Sequence, residues 1–310
     1  MIPLGPLFGL LSALSWGVGD FCGGLLSRRA SVLTAIFVSL TLGLAATLAL
    51  ALIGGQPVPP PADLAWAGAA GLVGFVGLAA FYYALSRGTM GVVAPLAALI
   101  GAGVPVGVAI FFGEQIGTLR LVGVGVGLVA VVLTSLPSQP RTAHERRALR
   151  IDLAELPMVI VAGLGFAGFF LFLDRALTDG ADIWWSLAAV RVVGFGAALV
   201  VLAGLLVMVR RAGRPHNRPA DLFRLSGIRQ LGAVGAVTLL LAAGLGDLGG
   251  NGFFALARGA DLLSVAVVLS SLYPVVTTIL AAALLHERMR PPQVAGAALA
   301  VLAVVLIGIG

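Results

Sequence analysis

The sequence predicts an all-α membrane protein: ten transmembrane helices arranged as two inverted five-helix repeats. Three observations carry this expectation. The composition is too apolar for water, apolar runs of spanning length recur ten times, and the second half of the chain repeats landmarks of the first. Of 310 residues, 60% are hydrophobic and 10% are charged, against roughly one quarter charged in soluble domains. The mean hydropathy is +1.09. A soluble fold of this size needs more polar residues than this to face water, whereas lipid solvates apolar faces directly. The 43 glycines agree, because membrane helices carry more glycine than soluble ones.

A helix crossing ~30 Å of hydrocarbon needs about 20 residues. Runs of that length lie near 4–26, 31–53, 64–86, 89–112, 117–136, 157–177, 183–209, 231–257, 261–285 and 292–310. Polar breaks separate them: Ser27-Arg28-Arg29, Pro57 to Asp63, Pro137 to Glu155, Arg210 to Arg229, and Glu287 to Pro292. No soluble domain fits in these gaps. The two longest, around 137–156 and 210–230, read as basic loops on the membrane surface. No basic residue precedes the first apolar run and no clear cleavage site follows it, so that run is expected as a helix of the mature chain.

The pI is about 10.9, and all 19 basic residues are Arg. They lie mainly in short segments between apolar runs. No RNA- or DNA-binding motif accompanies them, so nucleic acid is excluded as the partner. Loops 1–2, 3–4, 5–6, 7–8 and 9–10 hold 15 of them. The opposite side holds Arg120, Arg175 and Arg258, and Arg191 lies inside a run. The positive-inside rule then places the basic loops in the cytoplasm and both termini outside, as expected for a multi-pass protein of a bacterial-type cytoplasmic membrane.

The single Cys22 excludes an intrachain disulfide and a cysteine-based zinc site. His144, His216 and His286 fall in expected loops with no metal-ligand spacing, so neither metal nor cofactor is expected. No P-loop is present, so ATP is not the direct energy source. No paired-Asp motif or H-E-x-x-H appears, and no catalytic residue is assigned.

The internal repeat is the most informative feature. Tyr82-Tyr83-Ala84-Leu85-Ser86-Arg87-Gly88 resembles Phe253-Phe254-Ala255-Leu256-Ala257-Arg258-Gly259 at an offset of 171. Gly113-Glu114-Gln115 matches His286-Glu287-Arg288 through its Glu, and Gly123 matches Gly296, both at an offset of 173. Segments 3–5 therefore recur as 8–10, while 1–2 match 6–7 weakly. Residues 1–136 form the first unit, 137–156 a basic connecting loop, and 157–310 the second unit. Five is odd, so the second unit enters the membrane upside down. Inverted repeats of this kind mark secondary transporters with a site near the midplane.

The aromatic-Ala-Leu-x-Arg-Gly ends (81–88 and 253–259), the Pro-containing segments 4 and 9, the Glu114 and Glu287 helix ends, and the Gly-rich segments 5 and 10 together resemble the EamA-type branch of the drug/metabolite transporter superfamily. The resemblance spans the chain and is strongest over 64–136 and 231–310. It implies a ten-helix carrier of small polar metabolites, often outward. It also implies a cavity lined mainly by segments 1, 3, 4, 6, 8 and 9 and their neighbours. The expected partners are a small-molecule substrate and membrane lipids. One departure is that Gly101 stands where the second unit has Pro274, the first unit having Pro95 and Pro105 instead. A flippase for a lipid-linked headgroup is the alternative within transport. A membrane-embedded enzyme or a scaffold is the alternative outside it.

Charges inside a membrane helix cost roughly 2.5–3.5 kcal/mol on insertion scales, so each needs a partner or a wet cavity. Ser12, Trp16 and Asp20 share one face at i, i+4, i+8. This is either a cavity face, with Trp16 as wall and Asp20 as a cation or proton site, or an interfacial Asp. Asp247 and Asn251 sit at i, i+4 in the deepest acidic position. They form either a titrating site with alternating access, as proton coupling would need, or a charge pair that fixes packing. Arg191 is either an anion-binding group or the counter-ion of Asp247 or Asp174. Glu114 and Glu287 are expected to anchor the turns into segments 5 and 10 by accepting backbone N–H bonds.

Tyr82, Tyr83 and Tyr273, with Ser270, Ser271, Thr277 and Thr278, offer hydrogen bonds to a cavity or to their own backbone. Pro95, Pro105 and Pro274 are expected to kink segments 4 and 9. Gly163 to Gly168 and Gly244 to Gly249 both fit G-x-G-x-x-G, but inside apolar helices the pattern reads as close packing. Gly123-x-x-x-Gly127 and Gly296-x-x-x-Ala300 are small faces that pack segments 5 and 10 on each other or on a partner subunit, which would make a homodimer.

Overall fold

A computed structural model describes residues 3–27, 32–87, 90–136, 156–177, 182–211 and 232–310. Among them every regular element is α-helical and no strand occurs. The helices are α1 (Leu4–Ser27), α2 (Val32–Gly54), α3 (Pro61–Arg87), α4 (Met90–Phe111), α5 (Thr118–Thr134), α6 (Leu156–Ala176), α7 (Ile183–Arg211), α8 (Gly232–Ala260), α9a (Leu263–Ser270), α9b (Tyr273–Leu285) and α10 (Pro291–Ile309). The physical reason is that lipid offers the backbone no hydrogen bonds, so each spanning segment must satisfy its own. Eight stretches are long and apolar enough to cross a membrane, α9a and α9b together forming one of them. Leu40–Gly54 and Thr118–Thr134 are shorter apolar helices. The expected basic loops, 137–156 and 210–230, lie almost wholly outside the described residues.

The two halves interlock. α1 packs on α8, and α3 packs on α6. α4 lies on α6 as α9a and α9b lie on α1, α2 meets α7, and α5 meets α10. Exchanging α1–α5 with α6–α10 maps this set of contacts onto itself.

Glycine sets the closest approaches. A methyl built on Gly246 of α8 would lie 2.5 Å from the Gly19 Cα of α1, and one on Gly165 of α6 would lie 2.4 Å from the Gly77 Cα of α3. The remaining glycines of the two G-x-G-x-x-G stretches also face neighbours. Gly163 meets Ile100, Gly168 meets Val73, Gly244 meets Leu42 and Gly249 meets Ser15. Both stretches are thus helix-packing faces. Gly123 packs on Ile307 and Leu306, Gly127 on Val268 and Ala303, and Gly296 on Leu133 and Thr134. Of the two uses open to these small faces, the structure takes the intrachain one. The opposite faces, with Val122 and Val301, remain exposed.

Polar contacts gather at two ends. At the end holding both termini, a methyl on Gly5 would touch Asp261, and Gly310 lies against Arg120. Arg120 pairs with Asp261 at 2.9 Å, and the Trp185 indole N–H donates to the Gln56 carbonyl at 3.2 Å. At the opposite end the Gln293 amide donates to the Leu136 carbonyl at 2.7 Å.

The ninth segment is not one kinked helix. It stops at Ser270, turns through Ser271 and Leu272, and restarts as α9b with Pro274 in its first turn. Proline is tolerated there because the missing N–H would have no helical partner anyway. The expected kink at Pro274 is therefore a break followed by a new start. α4, by contrast, is assigned helical without interruption through the buried Pro95 and Pro105.

Candidate functional site

The site begins at the α1–α8 crossing. Asp247 lies about 22 Å from the first residue of α8 and about 20 Å from the last, counting 1.5 Å per residue. Its carboxylate accepts Nη1 of Arg191, reaching across from α7. The Asn251 side-chain amide, one turn along α8, donates to the Asp247 carbonyl at 2.8 Å and to Oδ1 at 3.3 Å. Arg191 is only 6% exposed. Gly43 of α2 makes its seat, since a methyl there would stand 3.2 Å from the guanidinium Cζ. Arg191 Nε and Nη2 are buried and have no hydrogen-bond partner among the described residues.

The α1 face completes the arrangement. Ser12 Oγ donates to the Gly250 carbonyl at 2.8 Å, holding α1 to α8. Trp16 lies over the bare Gly250, where a methyl would fall 2.2 Å from its Cδ1. Three rings surround Trp16: Phe254 is stacked at 6.4 Å, and Phe170 and Tyr273 are edge-on at 6.0 and 6.2 Å. Trp16 comes from α1 and the three rings around it from α6, α8 and α9b, so both halves build one aromatic wall. Asp20 follows Gly19, whose added methyl would stand 3.1 Å from the Asp247 backbone N. The Asp20 side chain is exposed by the protein and makes no hydrogen bond or ion pair among the described residues. Thr277 Oγ1 donates to the Gly17 and Tyr273 carbonyls, both at 3.1 Å, tying α9b to α1.

The structure thus brings Trp16, Asp20, Arg191, Asp247, Asn251 and Tyr273 together. Other candidates lie elsewhere. Tyr83 is exposed on α3 and is not among the rings around Trp16; the Tyr82 side chain lies outside the described ones. Asp174, considered as a partner for Arg191, pairs with Arg258 instead. Glu114 does not anchor the turn into α5. Its carboxylate accepts the backbone N–H groups of Leu263 and Ser264 at 2.9 and 3.2 Å, together with the Ser264 hydroxyl. It therefore caps α9a from across the bundle, where unpaired N–H groups and the helix dipole favour a negative charge. Glu287 is half-buried just beyond α9b, and its backbone N–H donates to the Ala281 carbonyl at 3.4 Å.

Some participants were not singled out from the sequence. Gly43 and Gly250 make room for Arg191 and Trp16, and nothing in the linear sequence marks a glycine that faces a side chain. Phe254 was visible only as a repeat landmark. Phe170 carried no signal at all.

Taken together, the fold and site define an integral, multi-pass helical membrane protein with buried charge and an aromatic wall where its two halves cross. The EamA-like transporter family model matches residues 3–136 and again 153–309. The chain belongs to that family, within the drug/metabolite transporter superfamily, whose members are membrane transporters rather than enzymes. No curated protein matches the sequence. One solved crystal structure superposes over 100% of this chain and 99% of its own, with a TM-score of 0.66 and 15% identity. At that identity the likeness concerns the fold alone.

Proposed function

We propose that the protein is a secondary carrier that exports small polar metabolites across a bacterial-type cytoplasmic membrane by alternating access. The observation that carries this reading is the Asp20, Arg191, Asp247 and Asn251 set gathered at the α1–α8 crossing, with Arg191 and Asn251 buried in an apolar bundle. Intramembrane charges are costly and concentrate on substrate and ion pathways. A site between two related halves is where rocking of one half against the other changes access.

In this reading the chain crosses the membrane ten times, residues 1–136 and 157–310 being inverted five-helix units joined by the loop at 137–156. Contacts among both termini, the α4–α5 loop and the α8–α9a loop support an even number of crossings, since these parts meet at one end. Arginine distribution supports placing that end outside.

The glycine crossings serve as pivots, because flat backbone surfaces slide without side chains interlocking. At the end with the termini, the Arg258–Asp174 and Arg120–Asp261 pairs and the Glu114 cap tie together α4–α5, α6, α8 and α9a. They must part for release there. Partly exposed pairs contribute only about 0–1 kcal/mol each, so they can open and close thermally. Asp20 and Asp247 are the groups that would carry a coupling proton.

The test is efflux from proteoliposomes loaded with a metabolite panel, with and without an imposed pH gradient. At least one solute should move, and Asp247→Asn should insert normally yet lose pH-driven flux. Absence of protein-dependent flux for every solute removes the carrier reading. Unchanged pH-driven flux in the variant removes Asp247 from coupling.

A further inference from the structure

We propose that the break in the ninth segment holds a sodium ion, bound by the Ser270 hydroxyl and the carbonyl oxygens of Ser270 and Ser271. This site stands apart from the carrier reading, because ion binding is measured without transport.

The break frees oxygens that a continuous helix would use. In an unbroken helix the Ser270 carbonyl would accept the N–H four residues on, but that residue is Pro274, which has none. The Ser271 carbonyl would accept from Val275, whose N–H donates to the Leu272 carbonyl instead, at 2.9 Å. Ser270 Oγ is buried and has no hydrogen-bond partner among the described residues. It does not take the Ala266 carbonyl one turn back, the usual recourse of a helical serine. Ser270 is 0% exposed and Ser271 5%, and every residue from Leu263 to Leu272 is buried. Neither lipid nor bulk water reaches these oxygens, and each one left unmatched is costly.

The chemistry of the set selects the ligand. All three groups are hard, neutral oxygens, which suit an alkali cation. Calcium and transition metals call for carboxylate, imidazole or thiolate ligands, and no cluster of three such groups occurs among the described residues. The hydroxyl and carbonyl of one serine close a small chelate ring, whose short bite fits sodium better than potassium. The end of α9a adds the negative pole of its dipole. In secondary transporters with discontinuous helices, unwound carbonyls and half-helix C-terminal ends coordinate sodium. One buried water would also satisfy three such oxygens, but the surrounding charge favours a cation. With both carboxylates ionised, Arg191 neutralises Asp247, and Asp20 has no ion pair among the described residues. Gly17, three residues before Asp20, lies against the start of α9b, since a methyl on it would stand 2.9 Å from the Tyr273 carbonyl oxygen. The related α4 runs uninterrupted through its prolines, so the stoichiometry is one ion per chain.

The experiment is binding of radioactive sodium to the full-length protein in lipid nanodiscs, with ionic strength held constant by choline chloride. Binding should saturate, with potassium displacing the label at least tenfold less well than unlabelled sodium. Ser270→Ala removes one ligand and should weaken binding at least tenfold. The hydroxyl it removes makes no internal bond, so in choline the variant should melt no lower than wild type. It should also lose the rise in melting temperature that sodium gives the wild type. Ser186→Ala removes a second buried hydroxyl with no partner among the described residues, on α7, and should bind sodium as wild type does. Absence of saturable sodium binding would leave a water at the break and overturns the proposal. Equal displacement by potassium overturns it too, because the chelate would then not discriminate. Binding kept by Ser270→Ala but lost in Asp20→Asn places the ion at Asp20 and also overturns it. The wild-type titration decides the matter even where a variant fails to fold. Metabolite flux enters none of these measurements, so the carrier reading stands or falls separately.

Discussion

Gly246→Ala tests the packing on which the site depends. The added methyl would lie 2.5 Å from the Gly19 Cα, 2.7 Å from the Gly19 N and 2.7 Å from the Ser15 carbonyl oxygen. All three are backbone atoms and none can rotate away. Restoring ordinary contact requires α1 and α8 to part by about 1 Å, and overpacking of this kind costs about 1–3 kcal/mol. Alanine returns about 1 kcal/mol through better helix propensity, and because all three contacts are with rigid backbone the cost lies toward the upper end of that range, leaving a net loss of up to about 2 kcal/mol. The control is Gly125→Ala on α5, where an added methyl meets nothing within 4 Å and only the propensity gain remains. Thermal unfolding of the purified proteins should therefore rank Gly125→Ala at or above wild type and Gly246→Ala below it. Gly165→Ala, 2.4 Å from Gly77 at the exchanged crossing, should lose a similar amount. A Gly246→Ala protein as stable as Gly125→Ala would refute the crossing geometry. A large loss in one crossing variant with none in the other would refute their equivalence.

Further expectations concern the charges and the break in the ninth segment. Asp247→Asn leaves Arg191 buried without its counter-charge and should cost about 3 kcal/mol, the lower end for a broken buried pair. The double variant Arg191→Gln/Asp247→Asn should recover much of that loss in an unfolding assay, and a cycle with no coupling between the two sites would contradict the pair. Glu114→Ala removes the α9a cap and should cost about 1–2 kcal/mol. Glu114→Gln should lie between it and wild type, and equal stability of all three would show that the cap contributes nothing. Pro274→Ala should change stability by less than about 1 kcal/mol, because its missing N–H lies in the first helical turn; a larger loss would mean the ring itself sets the break. Reporter fusions at either terminus should both read extracellular, and one cytoplasmic terminus would contradict an even number of crossings.

Much of the architecture was legible along the chain. The apolar runs coincide with the helices to within about three residues, because solvent selects them one segment at a time and no long-range contact is needed. The glycine pairs were legible as packing faces for the same local reason, since a bare helix face has few other uses in lipid. Asp20, Asp247 and Arg191 were conspicuous because charge is rare at that depth. Partner choice was a different matter. Asp174 and Asp247 both stood as counter-ions for Arg191, and nothing in spacing distinguishes carboxylates on different helices. Glu114 was read against its own turn because capping is usually local, yet its acceptor role falls on a helix start some 150 residues away.

What the sequence determined by itself, then, is an all-helical membrane chain built of two related halves, with a few charges in the wrong solvent. These properties follow from composition, run length and repetition, which are written in order along the chain. What only the tertiary structure decided is who meets whom. α1 crosses α8 rather than α3, Asp247 takes one nitrogen of Arg191, and Trp16, Phe170, Phe254 and Tyr273 gather into one wall. The physical reason is that helix packing is set by surface fit across the bundle, and membrane insertion, which the sequence records so plainly, is indifferent to it.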